Sequence, residues 1–156
     1  MTPILQVKNL QTHFFTKAGV LKAVDGVSFE IGAGEIVGLV GESGSGKSIT
    51  GFSILGLVDA PGRIVGGQIL FKGRDMTSIP PAEMQKLRGS RIAMIFQDPM
   101  MTLNPVLRIE TQMIEAILTH DSSIGKEEAR QRSRDALGLV GISSPEERMR
   151  AYPHQF

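Results

Sequence analysis

The chain has 156 residues, 41% hydrophobic and 21% charged, with a formal net charge of +1, which points to a single globular domain with a real core. That balance excludes a disordered polymer and gives no electrostatic ground for binding nucleic acid or an anionic membrane. With no cysteine there is no disulfide, zinc–thiolate centre or cysteine nucleophile, as fits a reducing compartment.

In chain order, Met1-Thr2-Pro3-Ile4-Leu5-Gln6 lacks the charged and apolar regions of a signal peptide. No apolar run reaches the about 18 residues of a membrane span. The chain is therefore expected in the cytoplasm, with any membrane role peripheral and exerted through a partner. Residues 4–8 alternate, with Leu5 and Val7 on one face, and are predicted to form a strand. Residues 12–20 are predicted as a loop with a turn at Lys17-Ala18-Gly19. Residues 21–31 are strand-like, with Val24, Val27 and Phe29 apolar. Asp25-Gly26 inside them is either a hairpin turn or a bulge; the short flanks favour the bulge. Gly32-Ala33-Gly34 turns into residues 36–40, an almost unbroken apolar run of the kind buried on both faces in a parallel sheet.

Gly41-Glu42-Ser43-Gly44-Ser45-Gly46-Lys47-Ser48 comes next and fits G-x-x-x-x-G-K-[ST], a phosphate-binding loop. Its glycines let the backbone take positive φ and approach a bulky anion. Successive N–H groups then converge at a helix N-terminus. Lys47 is expected to reach the β- and γ-phosphates and the Ser48 hydroxyl to bind Mg²⁺. A ligand-free glycine turn is the plainer reading, but a lysine in the first turn of a helix opposes the macrodipole unless an anion sits there.

Ile49, Phe52 and Leu55 recur at helical spacing, which predicts a helix over residues 47–57, ended by Asp59-Ala60-Pro61-Gly62. Residues 67–72 are predicted as a strand and residues 82–87, after Pro80-Pro81, as a short helix closed by Gly89. Residues 91–96 are a second mostly apolar strand, stopped by Gln97-Asp98-Pro99. Ligands of α/β sheets sit beyond the carboxyl ends of strands, so Gln97 is either a nucleotide-facing group or a loop amide.

From Val106 the pattern is helical. Ile109, Met113, Ile114, Ile117 and Leu118 form one stripe; Ala129, Ser133, Ala136, Leu137 and Val140 form another, ending at Gly141. Ser144-Pro145-Glu146-Glu147 predicts a capping box. Arg130, Arg132 and Arg134 are expected on a solvated face. Met100 and Met101 are expected in packing. His13, His120 and His154 show no metal-ligand spacing.

Taken together, the loop, Phe96-Gln97-Asp98-Pro99, Leu103-Asn104-Pro105, Val24-Asp25-Gly26-Val27-Ser28-Phe29, Phe71-Lys72-Gly73 and Tyr152-Pro153-His154-Gln155-Phe156 resemble the ATP-binding subunits of ABC transporters. Within that family the likeness is to the group powering oligopeptide, dipeptide and nickel importers, and it covers the whole chain. A different P-loop enzyme fits less well, since no Asn-Lys-x-Asp is present. The resemblance implies an α/β fold: a P-loop NTPase core with an N-terminal antiparallel β subdomain, over about residues 1–99, and a helical subdomain over about residues 100–156. It makes Gly41 to Ser48 the Walker A loop and Gln97 the glutamine that contacts Mg²⁺ or the attacking water and couples the site to the transmembrane subunits. ATP and Mg²⁺ are the implied cofactors. Transmembrane subunits of an importer and a second ATP-binding subunit are the implied partners, with the chain peripheral on the inner face of the cell membrane.

Two departures qualify that likeness. The family stacks adenine on an aromatic residue before the second strand; here the slot holds Ala18, and Phe15 or its neighbour Phe14 is the candidate from the longer loop. The sequence ends at Phe156, where the family continues into a signature loop, the Walker B aspartate, the catalytic glutamate and the switch histidine. An incomplete domain is thus expected, without a complete catalytic set or measurable turnover by itself, and with an unpaired central edge. The alternative is a non-hydrolysing fragment that binds nucleotide or the membrane subunit.

Overall fold

The computed structural model describes residues 3–97 and 102–156. Asp98, Pro99, Met100 and Met101 lie outside the described residues, and with them part of the glutamine segment and the methionine packing expected above. The chain divides into two compact units, Met1–Ala93 and Met94–Phe156.

The first unit is built on a four-stranded antiparallel sheet in the order β2-β1-β3-β4, from β1 (Leu5–Thr16), β2 (Gly19–Ile31), β3 (Gly62–Phe71) and β4 (Arg74–Asp75). Val7, Leu10 and Thr12 of β1 are all buried, although 7 and 10 do not share a face in a regular strand. A bulge reconciles them. Asn9, at φ 48, gives β1 an extra residue between the Val7–Phe29 and Leu10–Val27 pairs, and its amide donates to Ser28 Oγ at 2.8 Å. The bulge expected at Asp25-Gly26 is also present: Leu10 pairs with Val27 and Gln11 with Asp25, which leaves Gly26 unpaired.

The loop expected over residues 12–20 is instead the top of a β1–β2 hairpin, with Phe14 opposite Leu21 and Phe15 opposite Val20. Thr12 and His13 read as loop residues because they are polar. Thr12 is nevertheless fully buried, and its hydroxyl meets Ser53 Oγ at 2.8 Å while Ser53 donates to Ile49 O at 2.7 Å. A buried hydroxyl with a partner is compatible with a core. This pair ties the sheet to α1 (Lys47–Ile54), which is shorter than the expected 47–57 because Gly56, at φ 60, turns the chain. Arg88 completes that end: Nε donates to Leu55 O at 2.7 Å and an Nη to Gly56 O at 2.5 Å. α2 (Pro81–Leu87) has proline at its first position, as expected. β3 begins five residues before its expected start at Gly67. Val7, Leu10, Val24, Ile69, Met76 and Met84 form the core between sheet and helices.

Two expected strands are not formed. Residues 36–40 form no regular element and pair with no strand, with Ile36 99% and Val40 94% exposed. Residues 91–96 carry only an isolated bridge, Arg88 to Ile92, and Ile95 is 95% exposed. An apolar run becomes an inner strand only when neighbours supply both hydrogen-bond ladders. Among the described residues none of the four strands pairs with either run.

The second unit holds α3 (Ile109–His120), α4 (Lys126–Leu139) and α5 (Pro145–Met149). Ile109 and Ile114 are buried with Ala129, Ser133, Leu137 and Met149. Ala136 and Val140, expected in the α4 stripe, are exposed; the buried stripe is 129, 133, 137. The capping box at Ser144 does not form. Ser144 is left-handed at φ 50 with no side-chain cap, and its carbonyl instead accepts from the amides of Glu147 and Arg148, each at 3.0 Å. In the segment after the undescribed residues, Gln112 holds both Asn104 and Leu107. Gln112 Oε1 accepts from Asn104 N at 2.8 Å, while its Nε2 donates to Asn104 O at 3.0 Å and Leu107 O at 3.1 Å.

The arginines of α4 are on a solvated face, as expected, and they also pair with carboxylates there. Arg130 joins Glu146 of α5 and lies 3.6 Å from Glu110 of α3; Arg132 meets Asp121 at 3.1 Å and Glu128 at 2.7 Å. The hydrogen bond from Arg130 holds the Glu146 carboxyl below its ordinary range, helped by Arg150 and Arg134. The Ser123 hydroxyl does the same for Asp121, with Arg132 adding to it. A carboxyl depressed in the folded state contributes stability that is complete above its ordinary range and lost as pH falls through the folded value. Thermal unfolding of the chain is therefore expected to occur at lower temperature as pH drops below the usual carboxylate range. Glu146→Gln should reduce that slope. A melting temperature equally pH-dependent in the variant would show that other carboxyls govern it.

Candidate functional site

The site is the loop that joins the unpaired run 36–40 to α1. Lys47, the first residue of α1, turns back over the loop: Nζ donates to Gly41 O at 2.8 Å, Glu42 O at 2.6 Å and Ser45 Oγ at 3.3 Å. Ser45 N donates to Glu42 O at 3.2 Å, closing the turn beneath. These contacts wrap the loop around one ammonium.

Gly44 (φ 80) and Gly46 (φ 91) both take left-handed backbone. Their neighbourhoods differ. A Cβ on Gly44 would meet nothing within 4 Å, whereas one on Gly46 would stand 2.3 Å from Ala23 O. Gly46 is thus where the loop rests directly on β2. It also begins α1 without a side-chain cap, and the first turn of that helix carries no acid. The first amides of an uncapped helix have no intrahelical acceptor, and they sit at the positive end of the helix dipole. Fixed N–H donors and one lysine, with no carboxylate in the first turn, make an arrangement suited to a polyanion.

Ser48 is exposed and its hydroxyl makes no hydrogen bond among the described residues. No group of His, Cys, Asp and Glu among the described residues could hold a metal ion unaided.

The structure brings Gly41, Glu42, Ser45, Gly46 and Lys47 together. Ser43 and Gly44 lie exposed at the tip of the loop. Gln97 is exposed at a bend in the second unit. Phe15, at the top of the hairpin, is 39% exposed, and the Arg63 guanidinium lies 4.3 Å from its ring centroid. Phe14 packs on β3, where a Cβ on Gly62 would be 2.6 Å from its ring. Neither Ala23 nor Arg63 stood out in the sequence. Their proximity to loop and ring follows from strand register, which no local pattern carries.

A family model described as ABC transporter matches residues 24–156. The oligopeptide transport ATP-binding protein AppD of Bacillus subtilis is 49% identical over 156 residues, covering 99% of this chain and 47% of that protein. The dipeptide transport ATP-binding protein DppD of Escherichia coli is 44% identical over 152 residues, covering 97% and 46%. The chain thus spans about half the length of the curated relatives it matches. The fold is similar to the dimeric structure of MJ0796, described as a bacterial ABC transporter cassette, with a TM-score of 0.84 at 22% identity over 97% of this chain and 62% of that one. A second structure of MJ0796, in a post-hydrolysis state bound to ADP and Pi, matches equally, with a TM-score of 0.84.

Proposed function

This chain belongs to the ABC transporter family, and from that premise we propose that its Gly41–Ser48 loop binds MgATP as part of the energy-coupling subunit of an importer for peptides or similar small solutes. One observation carries the reading: Lys47 Nζ is held by the carbonyls of Gly41 and Glu42 at the uncapped N-terminus of an eight-residue helix. A triphosphate supplies stronger acceptors than two carbonyls, because its oxygens carry negative charge and add Coulomb attraction to the hydrogen bonds of the ammonium. The lysine would exchange its loop partners for phosphate oxygens while the helix amides receive the same anion. Ser48 would hold Mg²⁺ together with phosphate oxygens. The ion offsets charge on the bound triphosphate.

In this proposal Gln97 links the nucleotide to the membrane partner. The second unit docks on the transmembrane subunits of the importer, and a second ATP-binding subunit pairs with this one. The relatives' names, oligopeptide and dipeptide transport ATP-binding proteins, support the solute class. No helix among the described residues is long and apolar enough to cross a membrane, which agrees with a peripheral place on the inner face. Hydrolysis would belong to the full-length subunit.

Calorimetric titration of the purified chain with ATP, with and without Mg²⁺, tests the core of this reading. Saturable binding that strengthens with Mg²⁺ is expected. Absence of binding at millimolar ATP would overturn it.

A further inference from the structure

We infer that Arg88 is a positioning residue for the phosphate-binding loop: its guanidinium clamps the far end of α1 and so holds the amides at the near end in place for the triphosphate; this rests on the nucleotide-binding role proposed for the Gly41–Ser48 loop. The clamp is made of two hydrogen bonds. Nε donates to Leu55 O at 2.7 Å and an Nη to Gly56 O at 2.5 Å, across 33 and 32 positions of sequence. α1 has no basic residue in its own last turn, so a distant arginine supplies the cation that stabilises the negative end of its dipole. The fit is close on both sides: a Cβ on Gly56 would stand 3.2 Å from an Arg88 Nη and 3.3 Å from Met84 Cε.

Arg88 can act as a clamp because its own backbone is fixed. Its amide donates to Met84 O at 3.0 Å, and Met84 lies in the core. Beyond it, the amides of Arg91 and Ile92 donate to Leu87 O at 2.9 and 3.1 Å, and Gly89 N donates to Ile92 O at 2.9 Å. A fork mounted on that turn ties the end of α1 to the core. The helix needs the tie. It has eight residues, about 12 Å of length, and a helix that short is not stable in water by itself. Helix formation is cooperative, so loosening the last turn lowers the population of the whole element. The amides that would grip phosphate converge only while the first turn is helical. Gly46 resting on Ala23 fixes that turn at one end; Arg88 fixes the other. Lysine keeps the charge but lacks the fork that reaches two carbonyls. By linkage, a triphosphate that favours the ordered helix must also tighten the clamp.

Titrations of the full chain with MgATP and with magnesium tripolyphosphate, which has the phosphates and no base, test this directly. Arg88→Ala should weaken both ligands alike, about three- to tenfold, as when the binding-competent conformer falls to about a third to a tenth of the molecules. Arg88→Lys should recover part of that affinity, and Arg88→Met, which keeps only the stem, none. Ile69→Val, a core truncation on β3, controls for a general loss of stability and should leave both affinities unchanged. Hydrogen exchange on the parent chain reads the same coupling without any substitution. MgATP should slow exchange of the Leu55, Gly56 and Leu57 amides, which donate to Gly51 O, Ser53 O and Phe52 O at the clamped end. Unchanged affinity in Arg88→Ala, equal recovery by methionine and lysine, equal weakening by Ile69→Val, or exchange at residues 55–57 indifferent to MgATP would each overturn the assignment of Arg88. Failure of the underlying loop reading looks different: the parent chain would then bind neither ligand.

Discussion

Alanine in place of Lys47 is expected to weaken MgATP binding by about 10- to 150-fold, or ~1.5–3 kcal/mol, the usual worth of hydrogen bonds to a charged group. The side chain does two things in the structure. It bridges the carbonyls of Gly41 and Glu42, and it places a positive charge at the mouth of an uncapped helix. Removing it therefore releases the loop and deletes the one cation of that first turn. Titration calorimetry at fixed ionic strength reads the effect, since exposed electrostatics is salt-dependent. Lys47→Arg keeps the charge and should be intermediate, because a fork replaces a point charge. An affinity within twofold of the parent chain for Lys47→Ala would remove the phosphate role from this loop.

Gly46→Ala is expected to produce the largest loss of stability, roughly 2–5 kcal/mol. Left-handed backbone costs a non-glycine residue about 1–2 kcal/mol, and an overpacked contact adds about 1–3 kcal/mol. The new Cβ would sit 2.3 Å from Ala23 O, a backbone atom in the middle of β2 that cannot rotate away. Gly44→Ala is the control. It has similar φ but open space, so only the conformational part, about 1–2 kcal/mol, should appear. Urea unfolding at matched conditions measures both. Equal losses for the two variants would mean that the contact with Ala23 relaxes freely. ATP affinity should fall for Gly46→Ala as well, because lifting the loop off β2 moves the amides that face the anion.

The loop and α1 were legible because their information is local. Gly46, Lys47 and Ser48 declare a backbone conformation and a charge within three positions, and the structure places them at the start of a helix. The bulge at Gly26 was legible for the same reason. What escaped was non-local. Thr12 reads as a loop residue until Ser53, 41 positions later, is found beneath it. The face switch at Asn9 hides β1 from any alternation rule, since Val7 and Leu10 become neighbours in the core only through the bulge. Residues 36–40 failed in the opposite sense. Their composition is that of an inner strand, but composition cannot supply the flanking ladders. The ion-pair partners of the α4 arginines were not legible, because helical periodicity reports where a side chain starts, not how far a guanidinium reaches.

Gln112 has a mechanical corollary. By gripping Asn104 on both its amide and its carbonyl, and Leu107 on its carbonyl, it ties the approach segment to α3, so the segment travels with a rod about 18 Å long. A push on the exposed side chain of Val106 would be transmitted as rotation of that rod instead of being absorbed by a slack hinge. Stiffness is thus built in where a soft connector would let the segment swing independently of the helix.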